Sequence, residues 1–268
     1  MTSEMTSMDL NAAAITRHCA ECASHVAVSV VRETGSTNAD LLAQVHDGRL
    51  AGPKLLVAHS QTAGRGRAGR SWLSAPGATL MFSLAWRFKS PLQHLAGMPL
   101  AAGVALAEAI QALGVPVQLK WPNDLLKDGA KLAGILVETQ TGPDGAVWAV
   151  VGAGINLLMP DELEADIGRD VACAPWLANM DRNALTGALL NRLAATLAEF
   201  DDTGFAAFTE RWNRLQAWRG ETVRILDQGR VLHEGRMAGV DDSGRLLLQT
   251  DGGLVPVVSG DVSLRRAP

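Results

Sequence analysis

Three arginines, Arg65, Arg67 and Arg70, are interleaved with Gly64, Gly66 and Gly69 in the stretch QTAGRGRAGRSW, residues 61–72. Guanidinium groups on a pliable backbone suit an anion, and the candidates are a dinucleotide, a nucleoside triphosphate and a nucleic acid. The glycines satisfy G-x-G-x-x-G, but a dinucleotide fingerprint opens a helix and is followed about 20 residues later by an acid for the ribose. Here Pro76 and Gly77 follow, and no Asp or Glu occurs between Asp47 and Glu108, which argues against that reading. No G-K-[ST] closes the motif as a phosphate-binding P-loop would require. Arginine–glycine segments also hold single-stranded nucleic acid, using repeated charge and aromatic platforms. Only Trp72 is nearby to serve as one, and no basic face elsewhere supports it. The plain alternative is a solvated loop with incidental charge. Ordering so many glycines costs backbone entropy, which a ligand gripped by the arginines would offset.

A second constellation is LKWPNDLLKDGAKLAGILVE, residues 119–138. Lys131 opens a strand directly after a tight turn, and small Ala133 and Gly134 follow, leaving room for a ligand to approach the backbone. Asp124 follows Pro122 in a turn where it meets a metal, a ribose or a nearby cation, or simply closes an Asx turn. VGAGIN, residues 151–156, is a third glycine-bearing strand end, which by itself reads as tight strand packing. The stretch RHCAECASH carries His18, Cys19, Cys22 and His25, but zinc sites pair two separated clusters and no second one exists, so an ordinary helix is expected there.

The elements that must position these groups follow from patterning. Strands are expected at VAVSVVRE, KLLVAHSQ, TLMFSLAWRF, VQLKW, LLK, LAGILVETQ and VWAVVGAGINL. STNADLLAQV starts with capping residues and continues at helical spacing, and PLAAGVALAEAIQALG is a helix bounded by Pro99 and Gly114. Residues 184–200 and 203–217 repeat apolar side chains at three and four and are expected as helices. Trp212 and Trp218 there read as packing, and Glu108 and Glu199 as solvated helix positions. After Gly220 short strands alternate with turns, which suggests a small barrel. The expected organisation is an α+β fold with a polar leader at 1–26, a main domain at 27–218 and a β module at 219–268.

The chain has 268 residues, 47% hydrophobic and 19% charged, with a net charge of −4. That balance disfavours a protein whose main task is coating nucleic acid, so any anion site is local. No apolar run approaches the roughly 20 residues of a membrane span, and the N-terminus lacks the basic-then-apolar order of a secretory signal. Three cysteines suit a reducing compartment, so a cytoplasmic location is expected.

Taken together, STN at 36–38, QTAGRGRAGRSW at 61–72, KWPNDL at 120–125, KLAGILVE at 131–138, GAGIN at 152–156 and SLRR at 263–266 resemble the biotin protein ligases, also called biotin–acetyl-CoA-carboxylase ligases. Lipoate ligases share the architecture but not the arginine loop. The resemblance runs from about residue 30 to the end. It implies a catalytic domain similar to class II aminoacyl-tRNA synthetases and a small C-terminal SH3-like barrel. It implies biotin and ATP as substrates, magnesium with the ATP, and a lysine of a biotin carboxyl carrier protein as acceptor.

The resemblance places Arg67 and Lys131 against the reacting phosphate, with Arg65 shaping the loop beside Gly64 and Gly66, and Arg70 reaching the adenylate. Asp124 is carried over as catalytic, without a settled role and with no metal ligand assigned. Ser36, Thr37, Asn38 and Gln61 match contacts to the biotin ring, and Trp72, Gly134 and Leu136 line its tail. Trp176 is carried over as the adenine cover, Asn123 and Asn156 as nucleotide contacts, and Arg265 as a nucleotide contact from the small domain. Bifunctional relatives carry a winged-helix DNA-binding domain. Some 30 residues precede the first strand here, so ligase activity without operator binding is expected. Relatives often pair through sheet edges, which makes a homodimer the expectation by analogy.

Overall fold

TLMFSLAWRF is an almost unbroken apolar run, and a run of that kind belongs to a strand covered on both faces. In the computed structural model, which describes residues 9–168, 171–227, 229–260 and 262–267, it forms β3 (Thr79–Phe88), with every residue but Arg87 buried. Around it lie β1 (Ala27–Thr34), β2 (Lys54–Gln61), β4 (Gln118–Lys120), β5 (Asp124–Lys127), β6 (Ala130–Thr141) and β7 (Val147–Asn156). Among the described residues these form a seven-stranded sheet in the order β1-β2-β3-β7-β6-β5-β4. Only β1 and β2 run parallel, and α2 (Thr37–His46) joins them. The remaining pairs are antiparallel, so the fold is a mixed α+β one.

The two faces of the sheet carry different helices. On one, α3 (Met98–Ala112) and α6 (Arg182–Thr203) cover Leu55, Val57, Phe82, Leu84, Val151, Ala153 and Ile155 in the main core. On the other, Leu41 and Val45 of α2 pack with Leu56, Ala85, Trp148 and Val150 in a smaller cluster. Beyond that cluster β7 continues on the α2 face with Gly152 and Gly154, and the α2 side of the sheet becomes a hollow instead of a core. Strand alternation therefore puts the glycines of GAGIN where a ligand could lie.

Most expected elements form where the patterning placed them. Ser36 caps α2 with its side chain, Pro99 sits in the first turn of α3, and Gly114 follows that helix at φ +88°. The helix expected at residues 203–217 is interrupted. Gly204 ends α6 at φ +67°, a single turn spans Phe205–Phe208, and α7 (Thr209–Leu215) follows. Two short helices, α4 (Asp161–Ile167) and α5 (Pro175–Ala178), link β7 to α6.

Part of the stretch read as a leader is built into the fold: α1 (Ala12–Arg17) buries Ile15 completely, and Asn183 of α6 accepts a bond from the Asn11 backbone. Glu108 is not the solvated position expected. It bridges Arg192 of α6 and Arg211 of α7, and Arg211 also reaches Glu199 at 3.3 Å.

After Gly220 come β8 (Thr222–Asp227), β9 (Arg230–Val240), β10 (Leu246–Thr250), β11 (Gly253–Val257) and β12 (Ser263–Arg266), an antiparallel sheet in the order β11-β10-β9-β8-β12. It is fastened to α7 and to the turn between β4 and β5 by polar pins. The Trp121 indole donates to the Gly244 carbonyl at 3.2 Å, and the Asn213 side chain accepts from Val240 N–H at 2.8 Å and donates to its carbonyl at 3.1 Å. These bonds hold the β12 end beside the hollow.

Candidate active site

The hollow on the α2 face is a cleft with a polar end, an apolar middle and a charged end. At the polar end the N-terminus of α2 presents Ser36, Thr37 and Asn38, all at most 5% exposed. Gln61, the last residue of β2, accepts bonds through Oε1 from the Thr37 N–H at 2.8 Å and from its hydroxyl at 3.1 Å. Ser83 of β3 donates to Asn38 Oδ1 at 2.6 Å and lies 2.6 Å from the Thr37 hydroxyl. Asn38 Nδ2 donates to Glu138 at 2.9 Å and to the Leu136 carbonyl at 3.3 Å. Each partner fixes another's orientation, so this end is set before any ligand arrives. Gly152 is required by the arrangement, because a Cβ there would stand 2.2 Å from Asn38 Oδ1.

In the middle the Trp72 ring lies over Gly134 and Gly154, which face each other across β6 and β7. A Cβ on Gly154 would come within 2.4 Å of that ring, and one on Gly134 within 3.0 Å. The indole N–H is buried and has no partner among the described residues. Leu136 completes the wall.

The charged end is built on the turn between β4 and β5, where the Trp121–Pro122 peptide is cis. Asp124 holds Lys131 at 2.5 Å through Oδ1 and Lys120 at 3.6 Å through Oδ2. Arg265 of β12 lines the same end. Burial pushes the Lys120 ammonium down to about 8, the neighbouring charges of Arg265 and Lys131 push the same way, and Asp124 opposes them. Asn123 is anchored by its amide to the Ile135 carbonyl at 2.7 Å and receives Arg67 at 3.2 Å.

The arginine loop closes the cleft from above. It folds back on itself through Gly66 N–H to the Arg70 carbonyl at 2.7 Å and Trp72 N–H to the Gly64 carbonyl at 2.9 Å. Ala68 and Gly69 sit at its tip with φ of 53° and 69°. Gly64 is needed for close approach, since a Cβ would be 2.5 Å from the Trp72 carbonyl oxygen. Arg65 is tied to Glu138 of β6 and Arg67 also reaches the Gly260 carbonyl between β11 and β12, so the loop touches both parts of the molecule. It feeds a short turn and then β3, not a helix, in keeping with the exclusion of a dinucleotide fingerprint.

The structure thus gathers Ser36, Thr37, Asn38, Gln61, Arg65, Gly66, Arg67, Arg70, Trp72, Asn123, Asp124, Lys131, Gly134, Leu136 and Arg265 around one cleft. Three expected residues lie outside its lining. Gly64 borders the outer side of the loop. Asn156 is buried and spends its amide on the Lys131 and Ala172 carbonyls, so it supports the backbone of Lys131 instead of facing a ligand. Trp176, placed over adenine by resemblance, stands 65% exposed with its indole donating to the Leu113 carbonyl at 2.9 Å, at the far end of α3. That position is a correction. The connection between β7 and α6 carries no motif that fixes alignment, and the tryptophan was matched by type alone.

Three residues of the site escaped sequence reasoning. Ser83 is the one hydroxyl between two apolar runs of β3 and faces the cleft because it pairs with Gly152. Glu138 organises Asn38 and Arg65. Lys120 stands in the KWPNDL motif but was given no role of its own. A lone polar residue in a buried strand was the available signal for Ser83, because buried hydroxyls need partners.

Fold and cleft together define an enzyme-like cavity for an elongated ligand with a neutral polar head and an anionic tail. The comparisons fix the family. Residues 30–156 match the biotin/lipoate A/B protein ligase family and residues 220–265 match the biotin protein ligase C-terminal domain. The chain is 36% identical over 247 residues to the bifunctional ligase/repressor BirA of Escherichia coli (strain K12), covering 90% of this chain and 74% of that one. It is 35% identical over 241 residues to the biotin–[acetyl-CoA-carboxylase] ligase of Mycobacterium tuberculosis, covering 88% of each. The solved biotin protein ligase of Aquifex aeolicus in complex with biotin and ATP matches with a TM-score of 0.73 and 29% identity, over 90% of this chain and 99% of that one. The chain belongs to the biotin protein ligase family.

Proposed function

We propose that this protein joins biotin to ATP, forming biotinyl-5′-AMP and pyrophosphate, and then passes biotin to a lysine of a biotin carboxyl carrier protein. The observation that carries the reading is the order of the cleft: neutral hydrogen-bonding groups, then an apolar slot, then cations, matching ureido ring, valeryl tail and activated carboxylate. A ligand of this kind needs a few polar contacts inside an apolar slot. Ser36, Thr37, Asn38 and Gln61 address the ring, and Ser83 joins them. Trp72, Gly134 and Leu136 enclose the tail.

A free carboxylate is a poor acyl donor, and adenylation converts it to a mixed anhydride. As biotin attacks the α-phosphorus, negative charge gathers on phosphate oxygens, and cations placed in advance stabilise it. Arg67 and Lys131 take that task, Arg70, Asn123 and Arg265 hold the nucleotide, and Arg65 supports the loop. Asp124 aims Lys131 through their ion pair.

Magnesium would travel with the triphosphate, where phosphates and waters are its preferred partners. Among the described residues no group of three His, Cys, Asp or Glu side chains is placed to hold a metal, and Asp124 and Glu138 already serve cations. Among the described residues the phosphates and water are therefore left as the main partners of the ion.

The larger unit, residues 27–218, corresponds in this reading to a class II synthetase-like catalytic domain, and residues 219–268 to an SH3-like barrel. The open edge at β1 is a place for a second copy of the chain to add. The cytosol, where carrier proteins are made, is the proposed location. No described helix is long and apolar enough to cross a membrane.

ATP–pyrophosphate exchange tests the central reading. Exchange that depends on biotin is the expected result. Exchange that depends on lipoate and ignores biotin would overturn it in favour of a sister acyl ligase.

A further inference from the structure

The second half-reaction poses a proton problem that the residues assigned so far do not solve. The acceptor lysine reaches the cleft as an ammonium, with an ordinary pKa of about 10.4, and only its neutral amine attacks an acyl carbon. Among the described residues lining the cleft there is no histidine, cysteine or glutamate. Its ionisable groups are Arg65, Arg67, Arg70, Arg265, Lys120, Lys131 and Asp124. Arginine does not release its proton under these conditions. A carboxylate alone is too weak a base to keep a proton taken from an ammonium.

Two of these cations, Lys131 and Lys120, are mostly buried against tryptophan rings, and of the two Lys120 is the one without a close bond to Asp124. It comes from β4, has only 14% of its side chain exposed, and lies with Nζ 5.4 Å from the centre of the Trp218 ring. Arg266 covers the same ring at 5.8 Å. The charged groups facing Lys120 are Asp124 from β5, Lys131 from β6 and Arg265 from β12, one carboxylate against two cations. The carboxylate is itself shared, and its shorter bond goes to Lys131. Lys120 is thus the weakly paired member of a crowded cationic group.

Resting on the biotin ligase reading above, we propose that Lys120, acting through Asp124, takes the proton that the acceptor lysine sheds before it attacks biotinyl-5′-AMP. The neutral Lys120 amine gains a proton and becomes an ammonium, while the acceptor ammonium becomes an amine. The acceptor nitrogen then forms the C–N bond to the biotinyl carbonyl carbon. The C–O bond to AMP breaks, and its electron pair leaves with the phosphate oxygen. The remaining extra proton on the new amide nitrogen passes to the departing AMP or to water. The order of the two half-reactions suits this task. Departure of pyrophosphate removes the negative charge that favours a proton on Lys120, and desolvation by Trp218 and repulsion from Lys131 and Arg265 then favour the neutral amine.

The test separates the half-reactions. Biotinyl-5′-AMP is formed on the enzyme, the carrier domain of acetyl-CoA carboxylase is added, and single-turnover transfer is followed across the pH range. ATP–pyrophosphate exchange is measured alongside. For the unaltered protein, transfer should rise with pH through an inflection near 8. Lys120→Arg keeps the charge but cannot give up its proton, so transfer at neutral pH should fall on the order of 10²-fold and its inflection should disappear from that region. Exchange should fall far less. A second variant, Lys120→Cys aminoethylated in a background where Cys19, Cys22 and Cys173 are serine, restores an amine of lower basicity. It should recover transfer with the inflection moved to lower pH.

Equal losses of exchange and transfer, or an inflection that stays in place in Lys120→Arg, would overturn the proposal by making Lys120 only a fixed charge. Absence of biotin-dependent exchange in the unaltered protein would instead sink the ligase reading, so the two failures are distinguishable.

Discussion

At the polar end of the cleft Thr37, Asn38, Gln61 and Ser83 arise from a helix N-terminus and the buried middle of a sheet, and they are already bonded to one another. At the other end Arg65, Arg67 and Arg70 arise from a turn whose side chains lie partly or wholly in solvent and whose tip holds Ala68 and Gly69 at positive φ. On the proposed reading the contrast follows from what each end recognises. The ureido ring is neutral and rigid, so its partners gain by being fixed beforehand. The carboxylate and phosphates change charge during the reaction, and the reactive anhydride must be kept from water. A segment that opens for entry and closes over the product serves that need better than a rigid wall.

The comparison breaks most visibly where charge is handled. Lys131→Ala removes a cation held 2.5 Å from Asp124, and Arg67→Ala removes one that reaches both Asn123 and Gly260. Each should cut the adenylation rate by about 10²-fold or more, with the KM for biotin far less affected. Rates of biotin-dependent pyrophosphate exchange give the answer, and full activity in the doubly substituted protein would remove the electrostatic account altogether.

Next in size is the rigid end. Gly152→Ala drives a methyl group into Asn38 Oδ1, whose position depends on Ser83 and Glu138. Overpacking of this kind costs about 1–3 kcal/mol, and the damage should fall on biotin binding. Calorimetric titration should show at least a tenfold weaker Kd, with thermal unfolding lowered by only a few degrees. An unchanged Kd would mean that the glycine serves strand packing alone.

Arg65→Ala sharpens the contrast from the other side. Its pairing with Glu138 is partly exposed, and exposed pairs contribute little to stability. Unfolding should hardly move. Amide exchange across residues 62–72 should quicken in the free protein and should still slow when biotin and ATP are both present. If those amides exchange at the same rate with and without ligands in the unaltered protein, the loop is not a closing segment.

The same division marks what could be read from the sequence. The rigid parts were legible because their signals are local. A capped helix at Ser36, an unbroken apolar run at β3 and a Pro99-to-Gly114 helix each declare themselves within a dozen residues. The loop and the KWPND turn were legible through residue type, since Arg, Lys and Asp in glycine-bearing turns announce charge chemistry. What stayed hidden depends on register. Ser83 faces the cleft only because it lies opposite Gly152, and Glu138 reaches Asn38 across 100 residues of sequence. Lys120 acquires its character from Trp218 and Arg265, which come from the far end of the chain. The break between the two expected helices was placed a few residues early, because the apolar spacing carries α6 on to Thr203 before the chain turns at positive φ at Gly204.

The smallest expected effect tests Trp176, which resemblance placed over adenine. Trp176 lies on α5, its ring mostly in solvent and its N–H spent on the Leu113 carbonyl, beside Gly114. A tryptophan that covers adenine would lose flat apolar contact on replacement by alanine, and the KM for ATP would rise about tenfold or more. In the position seen here the loss is one surface hydrogen bond and some packing on the end of α3, about 1 kcal/mol of stability. Trp176→Ala should therefore leave the KM for ATP within twofold while lowering the unfolding temperature slightly. A large rise in that KM would mean that the segment between β7 and α6 swings across to the cleft when nucleotide binds, and that mobility in this site extends beyond the arginine loop.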